Sequence, residues 1–109
     1  MAAHLRKGDI VYLDFTPQSG HEQAGRRPGV VVSRTEFNSH SNMACVCPVT
    51  HTQRDFPTHV QLPDGLAVNG YVLCEQAKFL DCKSRNAEVI GALPLHVMDT
   101  ISDILHALL

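Results

Sequence analysis

Apolar and polar positions change their spacing along this chain, and the changes mark its elements. Gly8-Asp9-Ile10-Val11-Tyr12-Leu13-Asp14-Phe15 is rich in β-formers and reads as a first strand. Thr16-Pro17-Gln18-Ser19-Gly20 breaks it with loop formers, and the loop runs on to Arg27. Residues 29–33 form a second strand, apolar enough to be buried on both faces. Pro28 cannot donate to a sheet ladder and suits the first residue of that strand. Residues 35–40 fit a short helical turn, and residues 43–49 a third strand ending at Pro48-Val49-Thr50. Asp55 and Pro57 mark a turn, after which Thr58-His59-Val60-Gln61-Leu62 alternates as a short half-exposed strand. Pro63-Asp64-Gly65 signals a tight turn. Residues 71–80 are a long strand candidate interrupted by Glu75-Gln76, and residues 88–92 a short last strand. From Leu95 the period becomes helical. Leu95, Met98, Ile101, Ile104, Leu105 and Leu108 fall on one stripe, and Pro94 suits the first turn.

Short strands with loop breaks and one closing amphipathic helix imply a mainly β (α+β) domain, a small barrel or compact sheet with the helix packed on it. At 109 residues the chain makes one domain, 1–109, with a modest core that dimerisation would help stabilise. Hydrophobic residues at 44% and charged residues at 18% argue against disorder. Trp is absent and aromatics are few, so the core rests on Val, Leu, Ile and Ala. The net charge of −2 excludes a globally basic nucleic-acid binder but leaves room for a local basic groove.

Cys45, Cys47, Cys74 and Cys82 lack zinc-type spacing, and Cys45 and Cys47 face the same side of a strand. Buried free thiols in a reducing cytosol are expected, with no metal and no cofactor. The start MAAHLRKGD carries no apolar signal region, and no apolar run spans a membrane, so a cytoplasmic protein is expected. His51, His59, His96 and His106 show no metal spacing and read as surface residues.

Three places set polar side chains at strand ends: His21, Glu22 and Arg27; Thr50 with Thr52 and Gln53; and Glu75-Gln76 inside an apolar stretch. A carboxylate in such a stretch needs a partner or marks a site. These residues carry a resemblance. Gly8-Asp9-Ile10-Val11 with Asp14-Phe15, the segment GHEQAGRRPGVVVS, Phe37-Asn38, Pro48-Val49-Thr50, Glu75-Gln76-Ala77-Lys78 leading to Asp81, and Gly91-x-Leu93 before the helix resemble the MazF/PemK (Kid) toxins of bacterial toxin–antitoxin systems. The E-Q-x-G-x-R-P element is the specific part.

The resemblance implies a small SH3-like barrel with short helices and a C-terminal amphipathic helix, working as a homodimer. It further implies a sequence-specific, metal-independent endoribonuclease of single-stranded mRNA, leaving a 2′,3′-cyclic phosphate and a 5′-hydroxyl. A MazE-like antitoxin with a disordered acidic segment would block the RNA groove, and no membrane is involved. The family's catalytic arginine and threonine map onto Arg27 and Thr50, and its loop glutamate onto Glu22. The Kid-like branch uses an arginine and an aspartate on the long strand plus the loop histidine. Here His21 is present, but those strand positions hold Leu73 and Glu75, so the site looks closer to the MazF branch.

The chemistry needs a base for the 2′-proton, a cation for the phosphorane oxygens and an acid for the leaving oxygen. Arg27 suits the cation and also a possible acid, Thr50 a phosphate anchor, Glu22 the base, and His21 a second-rank proton shuttle. Glu75 is either a further candidate base or a structural carboxylate. RNA affinity is expected from Arg26, Arg34, Lys78, Lys83 and Arg85, with Glu75 and Gln76 also in contact. Phe37, Phe56 and Phe79 are stacking surfaces or, the reading favoured by so small a supply of large apolar residues, core. Two other readings remain open: a CcdB-like gyrase poison, though the ending His106-Ala107-Leu108-Leu109 lacks the Trp-Gly-Ile tail, and a non-catalytic SH3-like module for RNA or peptide.

Overall fold

β-branched and aromatic side chains build seven strands among the described residues, and every pair is antiparallel. The computed structural model describes residues 4–15, 25–53 and 56–109. The strands are β1 (Asp9–Asp14), β2 (Arg26–Val31), β3 (Met43–Thr50), β4 (His59–Gln61), β5 (Tyr71–Leu73), β6 (Lys78–Asp81) and β7 (Glu88–Ala92). A short helix α1 (Thr35–Ser39) links β2 to β3, and α2 (Leu95–Leu108) closes the chain. Across the sheet the order is β4-β5-β3-β2-β1-β7, with β6 also on β3. The sheet curls into a small open barrel with the helix against it, as the patterning and the resemblance both led one to expect. No helix among the described residues is long and apolar enough to cross a membrane.

Two differences from the sequence expectation have clear causes. β2 begins at Arg26, so Pro28 sits inside the strand rather than at its start. It is tolerated because β3 pairs with β2 only at Gly29, Val30 and Val31, leaving no β3 ladder for Pro28 to serve. The expected long strand over 71–80 is two strands separated by a 3₁₀ turn, Cys74–Gln76. Both halves lie on one edge of β3, with Val49 opposite Val72 and Val46 opposite Lys78. Between those pairs β3 advances three residues while its partner advances six. The excess is Cys74, Glu75 and Gln76, which leave the ladder together.

Alternating side chains fill two cores on the two faces of the sheet. Val30, Val32, Cys47, Val49, Leu62, Val72 and Cys74 pack with Val97, Met98 and Ile101 of α2. Val11, Leu13, Phe15, Val31, Ala44, Val46, Leu80 and Cys82 fill the other side. The adjacent Val30 and Val31 are both fully buried, which is why this strand reads as apolar throughout. The helix stripe holds in its middle but not at its ends. Leu95 and Leu108 are 75% and 48% exposed, and Val97, off the predicted stripe, is buried instead. The thiols are free, and Cys45, Cys47, Cys74 and Cys82 are half-buried or buried.

One buried polar side chain ties the frame together. Asn38 donates to the Leu5 carbonyl at 3.0 Å and to the Ser33 carbonyl at 3.2 Å. Its own oxygen accepts from Ser33 Oγ at 2.6 Å, and that hydroxyl accepts from Cys45 N–H at 2.9 Å. Because each group is partnered, burying Asn38 costs little.

Gly29 is closely packed inside the sheet. A Cβ there would stand 2.6 Å from Val46 Cγ1 and 3.0 Å from the Phe15 ring. Gly29→Ala is therefore expected to lower stability by about 1–3 kcal/mol through overpacking. Urea denaturation measures this, and an unchanged midpoint would contradict the packing described.

Candidate functional site

Two of the three residues expelled from the β3 edge, Glu75 and Gln76, make one wall of a small cleft. Thr50, Thr52, His59, Leu73, Glu75 and Gln76 line it, enclosing about 130 Å³. Thr50 reaches it from the end of β3, where it pairs with Tyr71 of β5. His59 reaches it from β4, opposite Leu73. Antiparallel partners share a face, so Thr50, Tyr71, Leu73 and His59 project to one side of the sheet.

Thr50 is held from two directions. Its Oγ1 accepts a hydrogen bond from Thr52 N–H at 3.1 Å, which fixes the hydroxyl oxygen and leaves its proton to donate. Behind it runs Gly70, at a φ of +128°, whose carbonyl accepts from Leu62 N–H at 2.9 Å. A Cβ on Gly70 would overlap the Thr50 carbonyl oxygen, so only glycine lets the chain pass here.

Glu75 is gripped at both carboxylate oxygens. Thr58 Oγ1 donates to Oε1 at 2.6 Å, and His59 Nε2 donates to Oε2 at 2.9 Å. Desolvation pulls the Glu75 carboxyl upward, but the Thr58 and His59 hydrogen bonds outweigh it and hold the group below its ordinary value. Glu75 is thus a carboxylate throughout the neutral range. The His59 side chain is only 5% exposed, against 33% for Glu75, with the Phe56 ring tilted against it at a centroid separation of 5.2 Å. Its Nδ1 is buried without a partner among the described residues. The expectation of a surface His59 is overturned: alternation places it on the outer face of β4, but Glu75 and Phe56 cover that face.

Arg27 falls on the same sheet face as Thr50 by register. Gly29 pairs with Pro48, and two residues further along each strand come Arg27 and Thr50, on the same face as that pair. Arg27 is exposed, and among the described residues its guanidinium has no ion-pair partner. Lys78 is exposed opposite Val46, again on that face. Arg27, Thr50, Glu75, Gln76 and Lys78 are therefore brought to one side.

The other expected RNA contacts lie elsewhere. Arg26 projects from the opposite face of β2 and donates to the Tyr12 carbonyl at 2.9 Å and the Asn86 carbonyl at 2.7 Å. It lies 3.7 Å from Asp14 and 3.8 Å from Glu88, with its guanidinium 5.4 Å from the Tyr12 ring centre. Arg85 donates to the carbonyls of Asp14 and Phe15, fastening the end of β1. Both arginines are structural clamps that donate to backbone carbonyls in and around β1. Lys83 lies in a separate groove of about 760 Å³ with His4, His40 and Asn86, and Arg34 is exposed at the start of α1. His21 and Glu22 lie outside the described residues.

The core reading of three phenylalanines is also overturned. Phe37, Phe56 and Phe79 are 44%, 57% and 56% exposed, since valine, leucine and cysteine already fill both cores. Phe37 and Phe79 meet edge to face at 5.6 Å. His59 and Thr58 are the site residues that sequence reasoning missed. The available signal was a lone acid, Glu75, in an apolar stretch, which demanded a partner that the spacing alone does not name.

Comparison with known proteins agrees with this frame. Residues 6–109 match the family described as PemK-like, MazF-like toxin of type II toxin–antitoxin system. The chain is 35% identical over 86 residues to the endoribonuclease toxin MazF of Escherichia coli K12, covering 79% of this chain and 77% of that protein. It is 36% identical over 97 residues to the endoribonuclease toxin ChpB of the same organism, covering 82% and 80%. Its structure matches a chain of a MazE–MazF crystal structure from Deinococcus radiodurans with a TM-score of 0.90 and 38% identity, covering 98% and 96%. The protein accordingly belongs to the PemK-like, MazF-like toxin family of type II toxin–antitoxin systems.

Proposed function

We propose that this protein is the toxin of a toxin–antitoxin pair and an endoribonuclease that cuts single-stranded mRNA through its own 2′-hydroxyl. The observation that carries the reading is the placement of Arg27, without an ion-pair partner among the described residues, on one sheet face with a pinned Thr50 hydroxyl that lines the Glu75 cleft. Arg27 supplies a permanent positive charge whose fork matches a phosphate and its phosphorane transition state. Thr50 donates its hydroxyl proton to a phosphate oxygen. Lys78 adds charge along the backbone path, and Gln76 with Glu75 meets the nucleoside. Proton transfer falls to Glu22, with His21 as a second-rank shuttle. The products are a 2′,3′-cyclic phosphate and a 5′-hydroxyl, and the reaction needs no metal.

The relatives named endoribonuclease toxins support the activity, and the MazE–MazF complex supports an antitoxin partner. An acidic antitoxin segment fits the same face, because Arg27 and Lys78 are cations that it would neutralise. The working form is a homodimer in the cytoplasm.

Incubation with a mixed-sequence RNA in excess EDTA, followed by end mapping, tests the reading. Cyclic-phosphate ends at one short motif are expected, whereas cleavage only with added metal would refute it. Arg27→Ala is expected to slow cleavage about 100-fold or more, as loss of a transition-state donor does. Because Arg27 is exposed, its thermal midpoint should stay near that of the parent, within about 0.5 kcal/mol of stability. An Arg27→Ala protein that cuts at the parental rate would remove the arginine from the mechanism.

A further inference from the structure

The two ends of Glu75 are treated alike by the fold, and this is unusual for a half-exposed acid. A purely solvated glutamate needs no partner, yet here a buried histidine and a threonine hydroxyl each take one carboxylate oxygen. The grip comes from outside the segment that carries Glu75. Thr58 and His59 sit at the entry to β4, and the Thr58 carbonyl also accepts the Cys74 N–H at 3.1 Å. The 3₁₀ turn is thus fixed to β4 by backbone and side chain together. Glu75 itself lines the cleft that Thr50 and Gln76 share, and a carboxylate has capacity for more acceptor bonds than these two.

A fixed anion in that position sorts what enters. A phosphate brought against it meets like-charge repulsion, so the phosphate belongs on the Arg27 and Thr50 side. What suits Glu75 is a hydrogen-bond donor, and RNA offers one from a base edge or from a 2′-hydroxyl. Orientation matters because a carboxylate free to rotate loses part of that donor bond to side-chain entropy, whereas one held at both oxygens is preorganised.

We propose that His59 is a positioning residue of the RNA cleft: with Thr58 it holds the Glu75 carboxylate as an oriented acceptor for a donor group of the RNA beside Thr50. The inference rests on the endoribonuclease reading for its ligand, but not for the His59–Glu75 tether itself. A merely structural role would instead fasten β4 to the turn and leave RNA handling untouched.

The test compares His59→Gln, His59→Leu, Glu75→Gln and the His59→Leu/Glu75→Gln double variant in steady-state cleavage of a short oligoribonucleotide. His59→Leu replaces a buried ring by an apolar side chain, so its fold is expected to hold, with thermal melting as the control. It and Glu75→Gln should each raise KM about tenfold with a smaller effect on kcat, as loss of one charge-assisted hydrogen bond does. His59→Gln keeps a neutral N–H donor near the same place and should remain within about threefold of the parent. The double variant should lose no more than the worse single one, because both act through one carboxylate. Parental kinetics in folded His59→Leu, or losses that multiply in the double variant, would overturn the proposal.

Oligomers with single 2′-deoxy positions or with base analogues lacking one N–H then separate the donors: the modification that reaches Glu75 loses its penalty in the Glu75→Gln background. Failure of both classes to do so would also overturn it. The tether has its own readouts without RNA. The His59 Nε2–H resonance in ¹⁵N NMR should shift in Glu75→Gln. In acid denaturation, the parent's advantage over Glu75→Gln should be present above the ordinary carboxylate value of 4.5 and close as pH falls through the lowered value below it. If the tether is seen but no RNA is cut, the endoribonuclease reading fails; if RNA is cut but the tether is absent, the positioning role fails.

Discussion

The structure depends on β3 serving two different strands along one edge. Its N-terminal half pairs with β6 and its C-terminal half with β5, and the two ladders differ in register by three residues. A continuous strand would keep every residue of 71–81 in the ladder, with side chains alternating between two packed faces. The three-residue step lifts Cys74, Glu75 and Gln76 out of that alternation. Cys74 returns to the core under α2, and the two polar residues after it are left at the cleft. The energetic logic is direct: a carboxylate in a packed ladder would have to be neutralised or paired inside a core, whereas on an expelled turn it keeps water on one side and two donors on the other. Site and sheet are thus produced by the same irregularity.

Positive charge is divided between structure and chemistry in adjacent residues. Arg26 and Arg27 alternate across β2, and the strand sends one to each face. Arg26 meets Asp14, Glu88 and two carbonyls and closes the β1–β7 edge. Arg27 meets none of these. In a chain of net charge −2, cations bound into such clamps add little to an RNA groove. On the proposed reading the groove is therefore short and local, drawn from Arg27 and Lys78 rather than from a broad basic surface.

Local pattern carried most of the fold. β1, α1, β3, β7 and α2 follow from propensity and period within single stretches, and the pairing of hydrophobic faces follows from their alternation. The candidate site was legible where one strand end displayed it, as at Thr50 and Arg27. It was illegible where distant segments meet. His59 carries an outward-facing period, and what buries it is Glu75, 16 residues on, with Phe56. Phe37 and Phe79 failed for the opposite reason. Composition argued that scarce aromatics belong inside, but two cores assembled mostly from aliphatic side chains and thiols take in only the Phe15 ring among the described phenylalanines.

Placement of a fixed anion on the same face as the cation proposed to bind phosphate looks contradictory until the geometry of RNA is considered. Along a nucleotide, the phosphate carries charge without donors, while the sugar and base carry donors without charge. A sheet face that carries Arg27 and Thr50 together with a tethered Glu75 would be complementary to that alternation. Moving the strand by half a nucleotide would set a phosphate against Glu75 and a neutral base against Arg27, losing at both ends. On the reading proposed above, opposed charges held on one sheet face fix the register of the substrate, and rigidity of the acid matters as much as that of the arginine. A floating carboxylate would pair with the cations beside it and cancel the discrimination; one gripped from β4 has its orientation set before RNA arrives.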